Sequence, residues 1–152
     1  PGWAYRNNGV MLHSQDPETM ALSQEFPVSI ESQFLGGNGE DDRTTLNVCT
    51  PGTNMVIDGN LITQHCTNSS SETFHGDQWV TVEIEVRGSD ELIHRINGKS
   101  VFELKNMQLD ENDPDAKLLI ENGSNLLLSE GYLAIQAESH PTQFRKIQIR
   151  PL

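Results

Sequence analysis

Apolar and polar residues alternate with a period of two wherever the chain shows a period at all. From Gln78 to Arg87, Val80, Val82, Ile84 and Val86 share one side, while Trp79, Thr81, Glu83 and Glu85 share the other, the pattern of a half-buried strand. Val28 to Leu35 repeats it, with Val28, Ile30, Ser32 and Phe34 opposite Ser29, Glu31, Gln33 and Leu35. Further strands are predicted over 10–14, 45–49, 61–64, 92–96, 99–104, 132–137 and 144–150. Asn97-Gly98 joins two of them as a tight hairpin, because both central residues of that turn need positive φ, and Asp58-Gly59 reads the same way. One short helix is expected, with Asp113 as its cap, Pro114 at its first position, a stripe of Ala116, Leu119 and Ile120, and Gly123 beyond its end. Nine short strands and one decorating helix in 152 residues predict a single all-β domain, a sandwich of two antiparallel sheets.

Charge narrows the partners. Ten Lys and Arg against 22 Asp and Glu give a net charge of −12, which repels a phosphate backbone or an anionic membrane, so no nucleic acid is expected. Apolar runs such as Leu126-Leu127-Leu128 fall far short of the roughly 18 residues of a membrane span, and nothing resembles a signal peptide. The chain reads as a soluble, processed or truncated piece. Its two cysteines, Cys49 and Cys66, have only His65 beside them, too few ligands for a structural zinc. A disulfide is favoured over free thiols, and it points to export into an oxidising compartment.

No phosphate-cradling loop, nucleophile elbow or metal-protease histidine pair occurs in the sequence. In a sandwich the inner faces pack together, so a binding groove is sought on an outer, polar face. Glu31 and Gln33, two residues apart, point the same way and can grip one sugar ring. The segment Trp3-Ala4-Tyr5-Arg6-Asn7-Asn8-Gly9 concentrates aromatic faces, a guanidinium and two amides, the groups that hold sugar hydroxyls. His13 and Met11 share one side of the strand over 10–14, so His13 is expected to meet Glu31 and Gln33 if the two strands are neighbours. For a structural calcium ion the candidates are Asp41, Asp42, Asp110 and Asp113; convergence of six to eight oxygens would make one.

Asn7-Asn8-Gly9-Val10-Met11-Leu12-His13, the stretch from Phe26 to Gly37, Gly76-Asp77-Gln78-Trp79-Val80-Thr81-Val82, Asn97-Gly98-Lys99, and Gly131 to Pro141 followed by Phe144-Arg145 closely resemble the 3-keto-disaccharide hydrolase domain family. The stretches Cys49-Thr50-Pro51-Gly52-Thr53 and Gln64-His65-Cys66-Thr67-Asn68 resemble a cysteine-bearing branch of it. The resemblance runs collinearly from about Trp3 to Leu152. It implies a concanavalin A-like jelly roll from a bacterium that degrades glycans, exported to the periplasm, the cell surface or the medium. It also implies that Pro1 follows the family's opening strand or strands.

The activity implied is cleavage of glycosides oxidised to a ketone at C3. That carbonyl acidifies the C2 proton, so a base removes it and the glycosidic oxygen leaves from C1, with no need for a carboxylate pair. His13, Glu31 and His65 are the candidate bases, and Arg6, Asn8, Gln33 and Gln136 the candidate substrate binders. The alternative is a non-catalytic, lectin-like carbohydrate-binding module on the same scaffold.

Overall fold

The computed structural model describes residues 4–152; Trp3 lies outside them. In chain order its strands are β1 (Asn8–Ser14), β2 (Ile30–Phe34), β3 (Asn47–Cys49), β4 (Thr53–Ile57), β5 (Asn60–Ile62), β6 (Cys66–Thr67), β7 (Val82–Arg87), β8 (Glu91–Ile96), β9 (Lys99–Leu109) and β10 (Tyr132–Ala137). Helix α1 (Pro114–Glu121) lies between the last two. The strands form two five-stranded sheets, in the orders β10-β1-β2-β3-β6 and β5-β4-β9-β8-β7. Neighbours pair antiparallel throughout, so the molecule is an all-β sandwich.

Alternation decides which side chains fill the space between the sheets. Leu12, Ile30 and Val48 from the first sheet pack against Met55, Leu92, Phe102, Leu104 and Met107 from the second. Ile84 and Val86 of β7 join that cluster, and Val80, Val82 and Ile84 join another around Leu46, Ile96 and Val101, so the apolar side of this segment does face inward. The core contains one buried imidazole. Ser32 hydrogen-bonds His94 Nε2 at 2.7 Å, and His94 Nδ1 donates to the Leu46 carbonyl at 2.9 Å. Burial pushes this histidine down to about 4, against the opposing pull of the Leu46 carbonyl.

Both expected hairpins form, with Asn97 and Gly98 at φ 51° and 80° and Asp58 and Gly59 at 49° and 78°. The helix is capped as expected: Asp113 accepts from the amides of Asp115 and Ala116, and Ala116, Leu119 and Ile120 pack under it. The differences concern strands. β4 was not expected, because Thr53, Asn54 and Met55 are 2%, 6% and 0% exposed and no solvated face marks the alternation. Conversely, 144–150 alternates but pairs with no strand among the described residues, leaving Ile147 and Ile149 63% and 76% exposed. The strand predicted over 61–64 is the shorter β5, and that over 78–87 begins only at Val82.

Candidate functional site

The outer face of the first sheet is assembled by register. Gly9 pairs with Gln33 on one side and Gln136 on the other, and Met11 pairs with Glu31, which in turn pairs with Cys49. One step further, Cys49 faces Cys66, and the two are joined by a disulfide with a Cα–Cα distance of 4.1 Å. The outward row thus carries Gln136, Gly9, Gln33 and Asn47, with Met11, Glu31 and the disulfide beside it. Three of the expected substrate-contacting residues, Glu31, Gln33 and Gln136, are brought together on this face.

Glu31 is 6% exposed although it lies on the outer side of its sheet. Met11 and the disulfide flank it, and Gln136 Nε2 reaches over β1 to donate to its Oε1. Burial pushes this carboxyl up to about 7; the Gln136 hydrogen bond opposes that shift and the negative charge of Glu138 adds to it. Gln33 Oε1 accepts from Asn47 Nδ2 at 3.4 Å. Asn47 is itself fixed, donating to Thr44 O at 3.1 Å and accepting from Ser69 N at 2.9 Å. That bond occupies the Gln33 oxygen and leaves its Nε2 hydrogens with no partner among the described residues.

The other expected residues lie elsewhere. His13 does not share the face with Glu31: a bulge between Met11 and Ser14 puts its backbone at φ 47°. Its Nε2 bonds instead to the Gly88 carbonyl, in the β7–β8 turn of the opposite sheet, at 3.0 Å. Period-two counting fails at a bulge because the inserted residue breaks the alternation. Burial lowers the proton affinity of His13, with the Gly88 bond opposing.

His65 stands exposed beside Cys66, at the opposite edge of the sheet from Gln136, and its carbonyl accepts from Thr50 N at 2.8 Å. Arg6 and Asn8 line a different feature, a cleft of about 660 Å³ at one end of the sandwich with Tyr5, Trp79, His140 and Phe144. There Arg6 bonds the Gly76 carbonyl at 2.5 Å and Asp77 at 2.8 Å, and Asn8 donates to Arg6 O at 3.0 Å.

The carboxylates considered for calcium are not gathered. Among the described residues no three His, Cys, Asp or Glu side chains converge as a metal site. Asp113 caps α1, Asp110 accepts from Asn112, and Asp41 accepts from Asn38.

The sequence profile of the 3-keto-alpha-glucoside-1,2-lyase-like domain matches residues 2–150. The chain belongs to this family. No curated protein and no solved structure matches it. Membership of the 3-keto-alpha-glucoside-1,2-lyase-like family links the domain to 3-keto-glycoside processing, and so to carbohydrate. No helix among the described residues is long and apolar enough to cross a membrane.

One residue of this family member's outer face, Glu138, was not singled out from the sequence for the site, and Asn7 was read there only as one of two amides able to hold sugar hydroxyls. Asn7 Nδ2 donates to Glu138 Oε2, and the Asn7 carbonyl accepts from Glu138 N at 3.0 Å. The signal was present for Glu138, which lies two residues beyond Gln136 and so on the same side.

Proposed function

We propose that the domain is a lyase for 3-keto-glycosides and that Glu31 is its base. The observation that carries this reading is a nearly buried carboxyl on an outer sheet face, with its proton affinity raised to about 7. Such a group is half ionised at neutral pH, where a general base works best. Of the three candidate bases, Glu31 alone has this setting, since His13 is turned to Gly88 and His65 stands at the far edge.

The reaction balances as an elimination. Glu31 takes the C2 proton, the C–H electron pair forms a C2=C3 bond, and the ketone pair moves onto O3. The ketone then re-forms, the C2=C3 pair shifts to C1=C2, and the C1–O bond breaks with its electrons leaving on the aglycone oxygen, which takes a proton. Water added across C1=C2 afterwards gives net hydrolysis. Gln33 lies two residues from Glu31, about 6.6 Å along the strand. Its Nε2 hydrogens suit the oxygen at C3 as negative charge collects there.

We further read the domain as bacterial and exported, because its disulfide is stable in an oxidising compartment. The concanavalin A-like jelly roll is the topology we assign it. A non-catalytic, sugar-binding module is the second reading, favoured by the cleft with Tyr5, Trp79, Arg6 and Asn8.

Incubation with a 3-keto-glucoside and with its parent glucoside separates the two. The lyase releases aglycone from the ketone alone and loses this activity in Glu31→Gln. Retention on a glycan with no turnover of either compound makes the domain a binding module.

A further inference from the structure

The outer face holds a second carboxylate that the elimination itself does not use. Glu138 follows β10 on the same side as Gln136, and it is clamped by Asn7 from two directions: the Asn7 amide donates to its carboxylate, and the Asn7 carbonyl accepts its backbone N–H. Asn7 is 2% exposed, and its Oδ1 is buried with no hydrogen-bond partner among the described residues. The amide is therefore anchored through Nδ2, and Glu138 is what it anchors to. A buried side chain that leaves one polar atom unsatisfied while fixing an exposed carboxylate stabilises the fold poorly, because an unpartnered buried acceptor has lost its bonds to water without replacing them. It is suited to keeping a charge in one place.

That place is beside the proposed base. Gln136, between Glu138 and Glu31 on this face, donates to Glu31, so the base and the second carboxylate are held by consecutive outward positions of one strand end. Among the described residues, the groups set beside Glu31 by the strand register are uncharged: Met11 from β1, Gln33 from β2, and the Cys49–Cys66 disulfide from β3 and β6. His65 flanks Cys66 at the far edge, Arg6 turns away to Asp77, and His140 packs its ring on Tyr5 at 4.7 Å.

We propose that Glu138, fixed by Asn7, is a positioning residue whose negative charge holds Glu31 at the protonation balance a neutral-pH base needs. The proposal rests on the reading of Glu31 as the base. A fixed anion next to a carboxyl makes its ionised form less favourable and its proton affinity higher, and a partly screened neighbour does so moderately. The direction agrees with the contribution of Glu138 to the shift at Glu31. Asn7 matters because a freely rotating glutamate would spend its time in water, away from the site.

The test is a titration of the Glu31 side-chain carboxyl by carbon-13 NMR in the intact domain, compared with Glu138→Gln and Glu138→Asp. Glu138 is exposed, so both variants fold. In Glu138→Gln the Glu31 midpoint should fall by about half a pH unit, and the acid limb of the kcat/KM profile on a 3-keto-glucoside should move by the same amount. Glu138→Asp should keep a midpoint nearer the parent. An unchanged midpoint in Glu138→Gln overturns the proposal while leaving Glu31 as base. Full turnover by Glu31→Gln overturns both the base assignment and the positioning role of Glu138, and the NMR shift then reports only an electrostatic contact.

Discussion

Gln136 on β10 hydrogen-bonds Glu31 on β2 by passing over β1, and it does so beside Gly9, the one position in that row with no side chain. A Cβ built at Gly9 would stand 2.4 Å from the Ser32 carbonyl oxygen, a backbone atom with no freedom to retreat. Gly9→Ala should therefore cost about 1–3 kcal/mol through forced separation of β1 and β2. It should lower turnover as well, since the strands that carry Gln136 and Glu31 move apart. A variant with unchanged melting temperature would show that the sheet accommodates the methyl group.

Glu31 should make the fold less stable at high pH. Its carboxyl has an ordinary value of 4.5 and is raised to about 7 in the folded chain, so the folded state holds the proton more tightly than the unfolded state. Stability from this group is fully present below pH 4.5 and is lost as pH rises through 7, by about 3 kcal/mol in all. Glu31→Gln should consequently be more stable than the parent at pH 8 and close to it at pH 4. Denaturant unfolding at the two pH values checks this, and a variant less stable at pH 8 contradicts it.

His94 should act in the opposite sense. Its proton affinity is depressed from 6.5 to about 4, so its contribution is complete above pH 6.5 and is lost as pH falls toward 4. The loss should again be about 3 kcal/mol. Stability across pH should then peak between the two transitions, near pH 5–6 by the same linkage. His94→Gln should flatten the acid side while leaving the alkaline side to Glu31.

Cys49 and Cys66 close a loop of separation 17 and hold β6, a strand of two residues, at the edge of the sheet. Reduction, or replacement of both by serine, should cost about 3 kcal/mol by the loop-entropy argument. Because Cys49 stands directly opposite Glu31, loosening this edge should also admit water to the carboxyl and bring its titration midpoint down. A midpoint unaffected by reductant would separate the disulfide from the site.

Much of this architecture was legible because alternation, hairpin dipeptides and helix caps are local signals. The inward row of β7, the Asn97-Gly98 turn and the Asp113 cap each depend on a few adjacent residues. The grouping of Glu31 with Gln33 followed from the same period. What escaped depended on nonlocal facts. His13 left the face because of a bulge set by pairing with β10, and β4 was hidden because both of its faces are covered. The disulfide joins β3 to β6, but β4 and β5, which lie between them in the chain, belong to the opposite sheet, so the pairing depends on a return from that sheet that no local signal marks. Glu138 needed the Asn7 contact, which spans 131 positions of sequence, before it could be tied to Glu31.

Segment 144–150, which pairs with no strand among the described residues, and the edge strand β10 have a colloidal consequence. Ile147 and Ile149 stand in the open, as do Tyr132, Leu133 and Ile135 at 54%, 56% and 51% exposure, and an uncovered strand edge bearing apolar groups invites pairing with another molecule. The net charge of −12 opposes such encounters at long range. That repulsion is screened beyond about 10 Å at 0.1 M salt. The molecule's dispersal in solution is accordingly a balance between a sticky border and a like-charged halo, and ionic strength moves it toward assembly.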